Sequence, residues 1–230
     1  ISYSIFNVIK KEFNIDLNKA NFFAGHSLGE YSALSCAGYI KFSDTIKILK
    51  IRGEAMQNAV PKGIGGMVAI LGSTIKKIED VILTNKENFK IQIANDNSVG
   101  QIVVSGKLSD LDKFVEILKS QGIKNIKLPV SAPFHCELMD SATKIMSNEI
   151  NKIDFFKGYN VLMSNVTADK ISEISEIKDL LIKQIQNRVR WRESVINMIN
   201  NGVDNFVEIG PGKVLSGLIK RISKDVKVQS

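Results

Sequence analysis

Apolar residues recur along this chain with two periods, and the segments that show each period alternate. Spacings of three and four residues predict helices, and these cover residues 2–13, 28–37, 43–58, 74–83, 108–119, 137–150, 176–187, 191–201 and 213–222. Short apolar or alternating runs predict strands at residues 21–25, 66–72, 89–95, 101–106, 123–130, 160–164 and 205–209. Strands and helices that alternate along a chain are typical of α/β proteins.

A turn-rich segment that contains Pro61 and Gly63 interrupts this pattern. From there to residue 130 the predicted order is β-α-β-β-α-β, which is the order of a ferredoxin-like unit. The segments before and after it return to mixed strands and helices. We therefore expect an α/β domain built from residues 1–62 and 131–230, into which residues 63–130 are inserted as a ferredoxin-like subdomain.

The composition of the chain limits the class of protein it can be and the kinds of partner it can bind. The chain has 230 residues, 44% of them hydrophobic, and no apolar run approaches the roughly 18 residues that cross a bilayer. The formal charge of +7 suits acidic partners, but the lysines are scattered and form no dense block, which argues against nucleic-acid binding. Cys36 and Cys136 lack metal-ligand spacing and predict free thiols in a reducing compartment, either the cytoplasm or an organellar lumen.

The chain opens as an amphipathic helix already in progress, without a basic region followed by an apolar stretch and a cleavage site. We therefore expect the natural N-terminus of the protein to lie upstream of Ile1.

A five-residue motif suggests nucleophilic catalysis. Gly25-His26-Ser27-Leu28-Gly29 fits the G-x-S-x-G pattern, and it lies between a predicted strand and a predicted helix. In that context the glycines permit a sharp turn that exposes the serine hydroxyl, and the helix N-terminus faces an anion forming beside it. The alternative is a serine that only caps the helix.

The base for such a serine follows by elimination, because the chain has only two histidines. His26 adjoins Ser27 at the end of a strand, where neighbouring side chains point to opposite faces, so it is poorly placed to reach the hydroxyl. A histidine-activated serine therefore requires His135, which lies in an irregular segment before a predicted helix. The alternative is that His135 is purely structural.

Arg52 occupies an unusual position in the helix predicted at residues 43–58. It lies on the same face of the helix as Ile48, Ala55 and Met56. Because these three residues are apolar, we expect that face, and Arg52 with it, to be buried. A buried guanidinium requires an anion, since an uncompensated buried charge is very unfavourable. Two partners are open: a carboxylate of the protein, or a carboxylate of a substrate held by the two-pronged guanidinium.

Six segments, in this order, carry a resemblance to a known family. They are GHSLGEYSAL (25–34), IRGEAMQ (51–57), GMVAILG (66–72), ANDNSVGQIVVSG (94–106), LPVSAPFH (128–135) and EIGPGKVL (208–215). Together they resemble the malonyl-CoA:acyl carrier protein transacylases and the acyltransferase domains of fatty acid and polyketide synthases. The resemblance spans nearly the whole chain and implies an α/β-hydrolase-like domain with a ferredoxin-like insert.

The resemblance also implies roles for single residues. Ser27 would form the acyl-enzyme, and His135 would act as general base and then general acid. Arg52 would bind the malonyl carboxylate, and the backbone N–H of Leu28 would supply half of the oxyanion hole. Gln184 matches the position whose backbone carbonyl orients the histidine, in place of the aspartate of a Ser-His-Asp triad.

Phe134, which directly precedes His135, is the last residue that the resemblance marks. In synthase acyltransferases, enzymes with a phenylalanine at this position are selective for malonyl, and enzymes with a serine are selective for methylmalonyl. The alternative is that Phe134 only packs against the insert.

The resemblance implies a two-step reaction that supplies fatty acid synthesis, with malonyl-CoA as the coenzyme A thioester substrate and an acidic, phosphopantetheine-bearing acyl carrier protein as acceptor. It calls for no metal and no bound cofactor, and we expect a monomer that binds neither membrane nor nucleic acid. Family members begin with a strand and a GQG-type loop whose glutamine completes the oxyanion hole, and we expect that segment upstream of Ile1. Loss of such a donor lowers the rate by about 10²–10³.

Two other functions remain open from the residues alone. A serine esterase or thioesterase would share the elbow but needs an acid, for which Asp96 is the best candidate, at the start of the loop expected to contain Asn97 and Gly100. A non-catalytic partner-binding domain would need no nucleophile at all.

Overall fold

The helices and strands follow the predicted alternation in the computed structural model, which describes residues 1–13 and 15–230. The α-helices of this part of the chain are α1 (Ser2–Glu12), α2 (Leu28–Cys36), α3 (Phe42–Gln57), α4 (Ile75–Thr84), α5 (Leu108–Ser120), α6 (Asp140–Lys152), α7 (Ile174–Gln184), α8 (Trp191–Asn200) and α9 (Val214–Ile222). The strands are β1 (Phe22–Phe23), β2 (Gly65–Leu71), β3 (Ile91–Ser98), β4 (Gln101–Lys107), β5 (Lys124–Lys127), β6 (Val161–Met163), β7 (Lys170–Ile171), β8 (Asn205–Val207) and β9 (Lys227–Gln229).

A small sheet with the order β1-β6-β7 brings two distant loops together. Strands β1 and β6 run parallel, with Phe22 beside Val161 and Phe23 beside Leu162. Because the carboxyl ends of parallel strands open at the same edge of a sheet, the segments after them meet there. Those segments carry Ser27 and Asn165.

A second sheet, entirely antiparallel, has the order β3-β4-β2-β5. Strand β4 lies between β2 and β3, so the unit formed by β2, α4 and β3 is split by a third strand, as in ferredoxin-like folds. Strands β8 and β9 form a separate parallel pair.

Both faces of the antiparallel sheet are buried, which explains why GMVAIL in β2 is apolar without alternation. One face packs under α4 and α5 around Val68, Ile70 and Phe114. The other face, which includes Met67, packs against the segment after β5 and against Phe134. This second face is the one turned toward Ser27.

The remaining helices enclose the core of the larger part of the chain. Side chains from α2, α3, α6 and α7 form one apolar cluster, whose most buried members include Tyr31, Leu34, Ile48, Met146 and Leu181. A further cluster joins α8 and α9 to β8. None of the helices in residues 1–13 and 15–230 combines the length and apolarity that a bilayer crossing needs.

The loop predicted around Asn97 is wrong, because Asn97 lies inside β3. Polar residues make this stretch resemble a loop, but β3 continues through two irregularities in its pairing with β4 as far as Ser98. The backbone is also held from the other side, since the Asp96 N–H donates to the Val189 carbonyl at 2.9 Å and the Val189 N–H to the Ala94 carbonyl at 2.8 Å. These long-range hydrogen bonds override the local polarity.

Other predicted bounds also differ from the observed ones. Strand β5 ends at Lys127 instead of residue 130, because Pro129 has no N–H to donate to a neighbouring strand. The helix predicted from residue 137 begins with a 3₁₀ turn, Glu137–Met139, before α6. Strands β7 and β9 were not predicted, since two or three residues are too few to show a period.

Candidate active site

The turn between β1 and α2 holds Ser27 in a backbone conformation that few residues adopt. Its φ is 52°, in the left-handed region where L-residues are strained. The Ser27 N–H donates to Asn165 Oδ1 at 2.7 Å, and Asn165 Nδ2 donates to the Gly25 carbonyl at 2.8 Å. Asn165 therefore clamps both sides of the turn, a role that sequence reasoning missed. The one sequence feature that could have indicated this role is the position of Asn165 directly after a predicted strand.

Gly25 is required by close packing within the same turn. A Cβ at Gly25 would lie 2.0 Å from the backbone carbon and oxygen of Gly29. The turn can therefore close only around a residue without a side chain at this position. Leu28 is the first residue of α2, so its N–H has no intrahelical acceptor and stays available beside Ser27.

Ser27 and His135 come together although 108 residues separate them. Ser27 Oγ lies 2.8 Å from His135 Nε2, and His135 Nδ1 lies 2.8 Å from the carbonyl oxygen of Gln184. Because a carbonyl oxygen only accepts, Nδ1 carries the proton and Nε2 is left as the acceptor facing the serine hydroxyl. This is the protonation state that a general base requires.

Burial keeps His135 neutral. Desolvation, together with the nearby positive charge of Arg52, lowers the pKa of His135 from 6.5 to about 3. His135 also has a positive φ of 59°, so both members of the pair have strained backbones. Strain of this kind persists only where surrounding contacts determine the conformation, and it is concentrated at functional sites.

Arg52 is buried beside the serine, with its side chain 6% exposed within α3. Arg52 Nη2 donates to Ser27 Oγ at 2.9 Å and to Gln184 Oε1 at 3.0 Å. Within the described residues no carboxylate lies at ion-pair distance from it, and its Nε has no hydrogen-bond partner. The predicted burial is thus confirmed, whereas the protein carboxylate considered as a partner is not found.

A cavity of about 420 Å³ opens directly over Ser27, between the larger part of the chain and the antiparallel sheet. His135, Arg52 and Phe134 line it from one side, and Met67 and Val103 from the other. The lining is mainly apolar with a few convergent polar groups, as is typical of small-molecule sites. Phe134 lines the cavity and also packs against the insert, so its predicted effect on acyl-group selectivity stays a prediction.

His26 and Asp96 are engaged elsewhere. His26 Nε2 lies 2.7 Å from Asn97 Oδ1, so its ring faces away from the serine hydroxyl. Asp96 is buried and accepts two hydrogen bonds of 3.0 Å from Arg192 Nε. The proposal of Asp96 as the acid of a hydrolase triad is therefore wrong, since His135 Nδ1 is bound by a backbone carbonyl instead.

Comparison with known proteins gives a family. Residues 18–229 match the model of the acyl transferase domain. The chain belongs to this acyl transferase family. It is 43% identical over 211 residues to the malonyl CoA-acyl carrier protein transacylase of Bacillus subtilis (strain 168). The aligned region covers 90% of this chain and 66% of that relative. The chain thus spans about two thirds of the length of such curated relatives.

Solved structures of the acyl transferase family superpose on the whole chain. The acyl-carrier-protein-S-malonyltransferase from Bartonella henselae gives a TM-score of 0.96 at 41% identity, with 100% of this chain and 73% of that chain covered. A malonyl-transacylase in complex with a type II polyketide synthase acyl-carrier protein gives 0.93 at 35% identity, covering 100% and 74%. The predicted fold class, an α/β-hydrolase-like domain with a ferredoxin-like subdomain, is confirmed.

A substitution at Gly25 tests whether the turn geometry controls the reactivity of this acyl transferase. We expect Gly25→Ala to slow acylation of Ser27 by about 10² or more, because displacement of a reacting group by 1 Å has an effect of that size. Gly29→Ala is the matched control, since a Cβ there would meet no atom within 4 Å. Rates of acyl-enzyme formation are measured by mass spectrometry. A folded Gly25→Ala protein that acylates as fast as Gly29→Ala would contradict this role of the turn.

Proposed function

We propose that this chain transfers a malonyl group from malonyl-CoA to the phosphopantetheine thiol of an acyl carrier protein, through a malonyl ester on Ser27. Membership of the acyl transferase family and the printed names of its relatives support the reaction class. The geometry around Ser27 supports the mechanism.

In the first half-reaction His135 Nε2 accepts the proton of the Ser27 hydroxyl while Oγ attacks the thioester carbonyl. The N–H of Leu28, at the start of α2, donates to the oxyanion as it forms. The carbon–sulfur bond then breaks, His135 returns its proton to the sulfur, and coenzyme A leaves as a thiol. The second half-reaction reverses these roles with the carrier-protein thiol as nucleophile. Because serine and histidine supply nucleophile and base, this chemistry needs no metal or bound cofactor.

The observation that favours malonyl as the acyl group is the state of Arg52. A buried cation without a carboxylate partner among the described residues is unfavourable until an anion binds it. Arg52 Nη2 is 2.9 Å from Ser27 Oγ, and malonyl carries its carboxylate two carbons from the thioester carbon. A bound malonyl group can therefore place that carboxylate on the guanidinium while its thioester meets the serine.

The charge of the chain suits an acidic carrier protein. At the rim of the cavity, the exposed Arg221 of α9 donates to Gln101 Oε1 at 2.8 Å, and Lys220 is exposed beside it. Neither makes an ion pair within the described residues. These cations favour approach of an acidic protein from the side of α9. We propose that the chain acts on this partner as a monomer.

The decisive experiment compares acceptors. Protein incubated with malonyl-CoA should gain one malonyl group at Ser27 and lose it rapidly to added holo carrier protein but slowly to water. Ser27→Ala should gain none, because its role is covalent. If water discharges the ester as fast as carrier protein, the chain is a hydrolase. If malonyl-CoA leaves Ser27 unmodified, the proposed function is wrong.

Arg52→Ala should lose malonyl transfer selectively. We expect kcat/KM for malonyl-CoA to fall by about 10² or more, the effect of removing one partner of a buried hydrogen-bonded charge pair. Acetyl-CoA has no carboxylate, so the preference for acetyl relative to malonyl should rise. Arg188→Ala is a control, since Arg188 pairs with Glu79 outside the cavity. Equal losses with both thioesters would instead show that Arg52 is structural.

Phe134→Ser should increase methylmalonyl relative to malonyl transfer several-fold. The ring of Phe134 lines the cavity, and we expect it to limit the space for a methyl group on the α-carbon. One methyl in a tight pocket changes binding by about 1–3 kcal/mol. The hydrogen bond that Ser105 donates to residue 134 goes to its backbone carbonyl, so the substitution leaves it intact. Transfer of each acyl group is measured in competition. An unchanged ratio in folded protein would assign selectivity to another residue.

A further inference from the structure

Glu30 is a buried carboxylate that takes no part in the proposed acyl transfer. It lies in the first turn of α2, is 3% exposed, and does not line the cavity. No lysine or arginine among the described residues makes an ion pair with it. A carboxylate in such surroundings is unfavourable unless its oxygens receive hydrogen bonds.

Both oxygens of Glu30 accept hydrogen bonds from outside its own helix. Oε1 accepts from the backbone N–H of Asn165 at 3.3 Å, and Oε2 accepts from Gln184 Nε2 at 2.5 Å. An ionised carboxylate has no proton to donate, so the amide of Gln184 must turn its NH₂ toward Glu30. Its oxygen then points the opposite way, toward Arg52 Nη2 at 3.0 Å.

Gln184 thus connects three parts of the site. Its backbone carbonyl accepts a hydrogen bond from His135 Nδ1, and its amide oxygen accepts one from Arg52. Its NH₂ also donates to the Ser27 carbonyl at 3.1 Å. The side chain is fully buried, so water cannot replace these contacts. We propose that Glu30 is a positioning residue for malonyl recognition: by holding the Gln184 amide in one orientation, it holds the Arg52 guanidinium toward the substrate carboxylate. This inference rests on the proposed function.

The protonation state of Glu30 sets the conditions for a test. Burial raises the pKa of Glu30 from 4.5 to about 7, although the hydrogen bonds from Gln184 and Asn165 and the charge of Arg52 oppose the rise. The group is therefore ionised at pH 8, where assays should be run. Because burial favours the neutral form of this group, we expect the protein with a glutamine at this position to fold.

Glu30→Gln replaces two acceptor oxygens with one acceptor and one NH₂. The backbone N–H of Asn165 cannot turn, so the new oxygen must face it and the new NH₂ must face Gln184. If the Gln184 amide keeps its orientation, its NH₂ meets the new NH₂; if it flips, its NH₂ meets Arg52 and its oxygen meets the Ser27 carbonyl. In either case two like groups face each other, and the Gln184 amide no longer holds the guanidinium in one position. We expect KM for malonyl-CoA to rise about 10-fold while KM for acetyl-CoA and kcat for both change less than about 3-fold. Glu30→Asp, which keeps two acceptors, should partly restore the malonyl KM.

A double-mutant cycle separates this role from a general structural one. Gln184→Met removes the side-chain amide, keeps the backbone carbonyl that accepts from His135, and should by itself lower the malonyl-to-acetyl ratio. In that background Glu30→Gln should change the malonyl-to-acetyl ratio less than 2-fold, because the two residues act through one contact.

Equal losses with both thioesters in Glu30→Gln, or an unchanged ratio in Gln184→Met, would overturn the positioning role. Wild-type protein that forms no malonyl-Ser27 would instead overturn the proposed function itself.

Discussion

The constraint on which the site depends is the closed turn between β1 and α2. Ser27 is held there in a strained left-handed conformation, and the turn closes only because Gly25 has no side chain to meet Gly29. Asn165 supplies hydrogen bonds on both sides of the serine. That clamp exists because β1 and β6 are parallel neighbours and end at the same edge of their sheet. Strand pairing far from the chemistry thus determines where the hydroxyl points.

A second constraint is that the cavity needs two structural units. The larger part of the chain supplies Ser27, His135 and Arg52, but the opposite wall comes from the antiparallel sheet of the insert. That sheet can serve as a wall because its far face is already covered by α4 and α5, so its near face remains apolar without being the main core. Enclosure by apolar side chains lowers the local dielectric and strengthens each polar contact around the serine.

The buried polar groups of the site stabilise one another only in one arrangement. Arg52 is charged, Glu30 has a raised pKa, and His135 has two polar ring nitrogens, so burial of each without hydrogen-bond partners would be unfavourable. Gln184 connects them with one side-chain amide and one backbone carbonyl. An amide has a donor end and an acceptor end, and its orientation therefore determines which group faces which. In the proposed positioning role, Glu30 acts on substrate choice through this amide, without lining the cavity itself.

Much of this arrangement is determined by local features of the sequence. The two periods of apolar residues predict the order of elements, because burial of one face depends only on near neighbours along the chain. The G-x-S-x-G turn places Ser27, and the presence of only two histidines leaves His135 as its partner. An arginine on an apolar stripe predicts a buried cation, which the structure confirms.

Only the tertiary structure determines which partner each buried polar group has. Asp96 pairs with Arg192, Asn97 lies in a strand, and Glu30 bonds Gln184 across 154 positions of the chain. Glu30 follows Ser27 at the spacing of a helix capping box, but Ser27 makes no side-chain cap hydrogen bond and Glu30 contacts Gln184 instead. The reason is physical: a polar side chain carries no periodic signal, and its partner is determined only once strands and helices from distant segments have packed.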